Sequence, residues 1–239
     1  MDESETHAAE FCSDLVRAHD EDRWLSANYA SEENSRKLLA LYALQCELRH
    51  IPAAVSEPPL GEIRLQWWRE ALTEIRDGKS PRAHPVVEEA ADCGLANEEY
   101  KDLLDAAIDA AARPLYGEGF SDVADLTAWL NKADGSFDAI AVHLLGGDVR
   151  LANAAADAGA AFALAREGRK LAPNLTNEID ANISELWERQ KVQLKKTPLE
   201  IWPAFLPFAL TPAYLKNPQT PFPLRKRLKL FSAFAFGML

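Results

Sequence analysis

The sequence predicts an all-α protein. Apolar residues recur at helical spacing nearly throughout, strand-like alternation is missing, and β-branched residues are few. The periodicity places helices near residues 10–18, 33–50, 62–77, 98–112, 121–145, 151–170, 178–195 and 222–236. Pro58-Pro59-Leu60-Gly61 resets the chain between the second and third of these. Tyr100, Leu103, Leu104, Ala107, Ile108 and Ala111 form one apolar stripe. Val123, Leu126, Trp129, Leu130, Ala133, Phe137, Ile140, Ala141 and Leu144 form another, and Gly146-Gly147 stops it. Ala152 to Ala165 then gives a small-residue helix that neighbours can approach closely, and Ile179, Ile183, Leu186 and Trp187 mark the next. Pro198 to Pro223, with seven prolines, reads as a loop-rich connector. Its Ile201, Trp202, Phe205, Leu206 and Phe208 would be costly to leave in water, so it should wrap the body.

A chain of 239 residues suffices for a single domain with a substantial core. Its net charge of -11 excludes a general nucleic-acid binder, which needs a basic face. The charge is uneven: residues 1–33 hold ten acidic and two basic side chains, and 186–239 hold nine basic and two acidic. Cys12, Cys46 and Cys93 show no zinc or disulfide spacing and fit a reducing compartment. The acidic start Met1-Asp-Glu-Ser-Glu lacks the apolar core of a secretory signal and the arginines of a transit peptide. No uncharged apolar run reaches the ~18 residues of a spanning helix. The expected location is cytoplasmic, with contact at the inner face of a bacterial membrane as a further reading.

Common catalytic signatures are missing. The five histidines form no His-x-x-x-His pair, and there is no P-loop, Gly-x-Gly-x-x-Gly or Gly-x-Ser-x-Gly. Asp102 with Asp105, and Asp122 with Asp125, read as solvated faces. Trp67 and Trp68 stand ~100° apart on one helix, so either both pack into a core or one lines a cavity. The terminal helix combines Arg225, Lys226, Arg227 and Lys229 with Leu224, Leu228, Phe231, Phe234 and Phe236. It suits a membrane interface, or a helix docked on the body by its apolar side.

Ala40-Leu-Tyr-Ala, followed by Gly61-Glu-Ile-Arg-Leu-Gln-Trp-Trp-Arg-Glu-Ala-Leu, resembles the squalene/phytoene synthase family. Asn131-Lys-Ala-Asp-Gly-Ser, Ala155 to Arg166 and Trp202-Pro-Ala-Phe-Leu-Pro-Phe-Ala-Leu-Thr-Pro-Ala-Tyr-Leu extend the resemblance. More closely, the chain looks like the branch that includes a mitochondrial assembly factor for respiratory complex I and its bacterial relatives. The resemblance implies an isoprenoid synthase-like helical fold around a central cavity. Active members condense prenyl diphosphates, with Mg²⁺ held by two aspartate-rich motifs.

Counted from Ala40 and Gly159, those acidic positions fall here near Arg49, His50 and Ala53, and near Lys170, Pro173 and Asn174. Neither nearby acid, Glu47 or Glu167, forms an i, i+4 acidic pair. One lost electrostatic donor alone costs about 10²–10³ in rate, so loss of both motifs predicts loss of prenyl transfer. No cofactor is expected, and Mg²⁺ belongs only to the alternative of an active prenyltransferase. Tyr42, Arg49, His50, Arg64, Trp68, Arg166 and Lys170 are the candidate cavity or anion-binding residues, and no residue is assigned a catalytic or metal-binding role. Arg225, Lys226, Arg227, Lys229, Phe231 and Phe234 are the candidate membrane-surface residues. The expected role is that of a non-catalytic assembly or accessory factor, with a respiratory-complex subunit or assembly partner, or of a lipid-binding protein with an isoprenoid or lipid ligand.

Overall fold

The computed structural model describes residues 3–193, 197–217 and 223–236. Among these, every regular element is helical. The chain divides into two units, Met1–Glu118 and Gly119–Leu239.

The first unit holds α1 (Glu3–His19), α2 (Glu21–Ala27), α3 (Glu32–His50), α4 (Pro58–Arg76), α5 (Pro85–Asp92) and α6 (Lys101–Ala110). Helix α1 packs on α2, α3 and α5, while α4 packs on α5 and α6. Ser31 caps α3 by accepting from the Asn34 amide at 3.4 Å, with Glu32 and Glu33 in the first turn and Arg49 and His50 in the last. That charge order complements the helix dipole. Two of these helices were illegible in the apolar pattern. Helix α2 is only seven residues long and opens on charges, and α5 is eight residues long. Each depends instead on a cap, Asp20 for α2 and the His84 ring for α5.

The Trp-Trp block joins helices. Trp68 is buried and Trp67 half-buried, with their rings edge-to-face at 5.1 Å. Both meet His84, at 5.1 Å from Trp68 and 5.7 Å from Trp67. His84 also meets Phe11 of α1 at 6.5 Å. Arg82 covers Trp67 at 5.3 Å while bonding Glu70 and Glu74. Such a cluster is worth more than its buried area alone.

The second unit holds α7 (Val123–Leu130), α8 (Ser136–Leu144), α9 (Val149–Ala163), α10 (Arg169–Leu171), α11 (Thr176–Gln193), α12 (Trp202–Phe205), α13 (Thr211–Lys216) and α14 (Pro223–Phe236). The stripe expected as one helix over 121–145 is helical, but residues Asn131–Gly135 form a π turn between α7 and α8. A second π turn, Leu164–Gly168, joins α9 to α10. Asp122 is exposed, as expected of a solvated face, and also caps α7 by accepting from the Asp125 amide at 2.8 Å. Helices α8 and α9 come very close. A Cβ on Gly135 would stand 2.6 Å from the Ala156 carbonyl oxygen, and one on Gly159 would stand 1.8 Å from Asp138 Oδ2.

The Pro-rich stretch corrects the expected loop. Residues 199–216 are a chain of short helical turns, and every residue from Ile201 to Thr211 is buried. Pro203, Pro207 and Pro212 each occupy a first or second position of their turn, where a missing amide costs nothing. Phe208 closes the packing by meeting Phe205 at 5.9 Å and Phe162 at 6.1 Å.

Candidate functional site

The two segments that counting places at the acidic positions each carry a proline at a helix end. Pro52 sits in a turn that tightens the end of α3, and Pro173 follows a residue that leaves the helix. Helix α3 stops at His50, and Ile51–Ala53 is a 3₁₀ turn containing Pro52. His50, Ile51 and Ala54 keep helical dihedrals and the Ala54 amide donates to the His50 carbonyl at 3.1 Å, so Arg49 and Ala53 lie about one turn apart on a tightened helix end. In the second unit, Ala172 leaves the helix at φ -138, ψ 74, and Pro173–Leu175 is again a 3₁₀ turn. Lys170 and Asn174 are separated by that break.

The donor set does not fit Mg²⁺ either. The metal requires several oxygen ligands, and among Arg49, His50, Ala53, Lys170, Pro173 and Asn174 only Asn174 has a side-chain oxygen. All six are exposed. Among the described residues, no group of three or more His, Cys, Asp or Glu side chains is placed to hold a metal ion.

The candidate residues of the first unit occupy different environments. Tyr42 is fully buried on α3, with the Arg23 guanidinium 4.9 Å over its ring. Arg49 and His50 are exposed in the last turn of α3, and the His50 ring lies 6.1 Å from that of His19. The negative end of the helix dipole favours cations there and opposes a bound anion. Arg64 is exposed on α4, whereas Trp68, one turn on, is packed against His84. An open depression on this unit is lined by Glu10, Asn28, Ser31, Glu32, Glu33 and Arg36, and none of the candidates lines it.

In the second unit, Arg166 lies in the π turn, stacked 5.0 Å over Phe162 and bonded to Glu167 at 3.1 Å. Arg169 ties α10 to its neighbours through Asp180 at 2.5 Å and the Leu215 carbonyl at 2.9 Å. Lys170 is exposed beside them.

Two groups of buried polar residues stand outside the candidates. Asp20, Asp22 and Arg23 are 8%, 2% and 1% exposed, and Gln45 on α3 is 2% exposed. Asp20 pairs with Arg23 at 3.6 Å. His19-Asp20-Glu21-Asp22-Arg23 is so polar that hydropathy reads it as a solvated face. In the second unit, Asp134 and Asp138 lie four residues apart, 2% and 0% exposed. Their spacing is visible in the sequence, but only the fold reveals that both are buried. Burying charge is costly unless it is compensated, so both groups mark positions under tight constraint.

An ion pair with a buried carboxylate also braces the first unit. Glu89 is 0% exposed and accepts two hydrogen bonds from Arg36, at 2.6 and 2.9 Å. These bonds hold the guanidinium well above its ordinary pKa. Burial, then the nearby Glu89 carboxylate, pushes the Cys93 thiol up to about 12 and raises Cys12 further. Neither is a reactive thiolate near neutrality.

Comparison with known proteins agrees with this architecture. The family model for squalene/phytoene synthase matches residues 16–179, more than half of the chain. The chain is 26% identical over 152 residues to NADH dehydrogenase (ubiquinone) complex I, assembly factor 6, of Rattus norvegicus, covering 63% of this chain and 45% of that protein. The Homo sapiens protein of the same description is 24% identical over 136 residues, covering 57% and 40%. The chain thus spans under half the length of these curated relatives. Among solved structures, a dehydrosqualene synthase in complex with ligand superposes with a TM-score of 0.75 at 11% identity, covering 98% of this chain and 97% of that one. Squalene synthase HpnC from Alicyclobacillus acidocaldarius gives 0.74 at 11% identity, covering 93% and 98%. At such identity the likeness is one of fold.

Proposed function

The chain belongs to the squalene/phytoene synthase family, and we propose that it acts there without prenyl transfer, as an assembly or accessory factor for a respiratory complex. The observation that carries this reading is the set of side chains at the two counted acidic positions, which offers no carboxylate. Where prenyl diphosphate chemistry needs clustered carboxylates, Arg49, His50 and Ala53 stand on one segment and Lys170, Pro173 and Asn174 on the other. A diphosphate leaving group develops charge that a metal clamp must stabilise, and a site lacking that clamp loses the largest catalytic term. Exposed cations at the negative ends of helices do not replace it.

Similarity to complex I assembly factor 6 supports respiratory complex I as the client, and a partner subunit or assembly intermediate as the binding partner. The test is deletion of the gene in its own host, followed by native gels and NADH dehydrogenase assays. The expected outcome is depleted mature complex I, restored by the wild-type gene. Normal levels and activity of the complex in the deletion strain would overturn the assignment.

A further inference from the structure

Helix α14 buries Lys226 with Leu230 and Ala233, and exposes a separate apolar stripe. Lys226, Leu230 and Ala233, spaced i, i+4, i+7, are 4%, 0% and 0% exposed, and the helix packs on the buried Leu206–Leu210 turn. On the opposite side, Leu224 is 76% exposed, Leu228 67% and Phe231 58%, and Ala235 is exposed with them. At ~100° per residue these four fall within an arc of about 60°. Arg227 flanks one edge of the stripe and Arg225 the other, with Lys229 further round beyond Arg225; all three are exposed. Phe236, 68% exposed, lies on the Arg225 side, while Phe234 is half-buried beyond Arg227. Of the six candidate membrane residues, Lys226 thus faces inward, and Leu224 and Leu228 take the outward place.

We infer that α14 docks flat on an anionic lipid bilayer, with Leu224, Leu228 and Phe231 in the acyl boundary and Arg225, Arg227 and Lys229 on lipid phosphates. Apolar residues framed by cations are the pattern of an interfacial helix, and no described helix is long and apolar enough to cross a membrane. Charge selects the lipid. The helix carries four basic residues and no acid on a chain of net charge -11, so an anionic surface attracts this helix and repels the chain as a whole. Charge also disfavours a second copy, because pairing α14 with itself about a two-fold axis opposes like cations.

The test is sedimentation of the full chain with vesicles of phosphatidylcholine alone, or of equal parts phosphatidylcholine and phosphatidylglycerol. Binding to the mixed vesicles is expected, weakening as salt rises. Leu228→Ser with Phe231→Ser should reduce it about tenfold or more. Arg225→Gln and Arg227→Gln should each cost about fivefold. Leu228 and Phe231 are exposed, so circular dichroism melts of that double variant should match wild type. The proposal fails if the chain does not sediment with mixed vesicles, or if sedimentation survives loss of the stripe. Lipid-free self-association abolished by Phe231→Glu would give the face to a second copy and overturn it too. Vesicle binding is read without reference to complex I, so it succeeds or fails separately from the proposed function.

Discussion

The first unit fastens its helices and loops with arginines, whereas α8 and α9 of the second meet through missing side chains. Arg36 links α3 to Glu89 and Asp92, Arg69 links α4 to Asp105 and Asp109, and Arg82 ties the loop after α4 back to Glu70 and Glu74. Between α8 and α9 the joint is Gly135 against Ala156 and Asp138 against Gly159. An arginine joint reaches across a gap, so its partners can lie far apart in sequence, and solvent screens whatever remains exposed. A small-residue joint has no reach and no screening. It is set by volume alone, and any added atom must displace something.

The largest effect should come from the arginine joint whose carboxylate is fully buried. Arg36→Ala leaves the Glu89 carboxylate without its bidentate partner, at a cost of about 2–3 kcal/mol. Pairing it with Glu89→Gln should recover most of that loss in a double-mutant cycle followed by thermal melting. If the single variant melts like wild type, burial does not set this joint apart from the exposed ones.

Gly159→Ala is the corresponding test of the second unit. Alanine is the better helix former by about 1 kcal/mol, yet overpacking against Asp138 should outweigh this and leave a net loss of about 1–2 kcal/mol. A raised melting temperature would show that α8 and α9 can separate freely. Smaller still is Arg69→Ala, whose partners Asp105 and Asp109 are partly or largely solvent-exposed. A loss below about 1 kcal/mol is expected, shrinking further in high salt.

The smallest effect is a pH dependence. Arg82 lowers the pKa of Glu74, while Gln66 and then Arg82 lower that of Glu70, both from 4.5. A lowered folded-state pKa gives stability that is present above 4.5 and lost as pH falls through the folded value. The melting temperature should therefore decline below about pH 4.5, and Arg82→Ala should flatten that decline.

The same contrast explains what the sequence disclosed. The close approach of α9 was legible because Ala152 to Ala165 advertises it in consecutive residues. Arg36 and Glu89, fifty-three positions apart, carry no local sign of each other. Capped short helices such as α2 and α5 escaped the apolar period, because seven or eight residues complete too few turns to repeat it. That Arg49, His50, Lys170 and Asn174 are not carboxylates was plain from residue identity. That the chain leaves its helix at Ala172, before Pro173, required coordinates. Nor could hydropathy place α14, since an outward Phe231 and an inward Lys226 invert the usual rule.

The central claim is that this family member retains the fold without the reaction. It is tested most directly by incubating the purified chain with Mg²⁺ and saturating farnesyl or geranylgeranyl diphosphate, and measuring released diphosphate. Release indistinguishable from a protein-free control is expected. Metal-dependent turnover above that control would contradict the claim and return the chain to the prenyl-transferring enzymes.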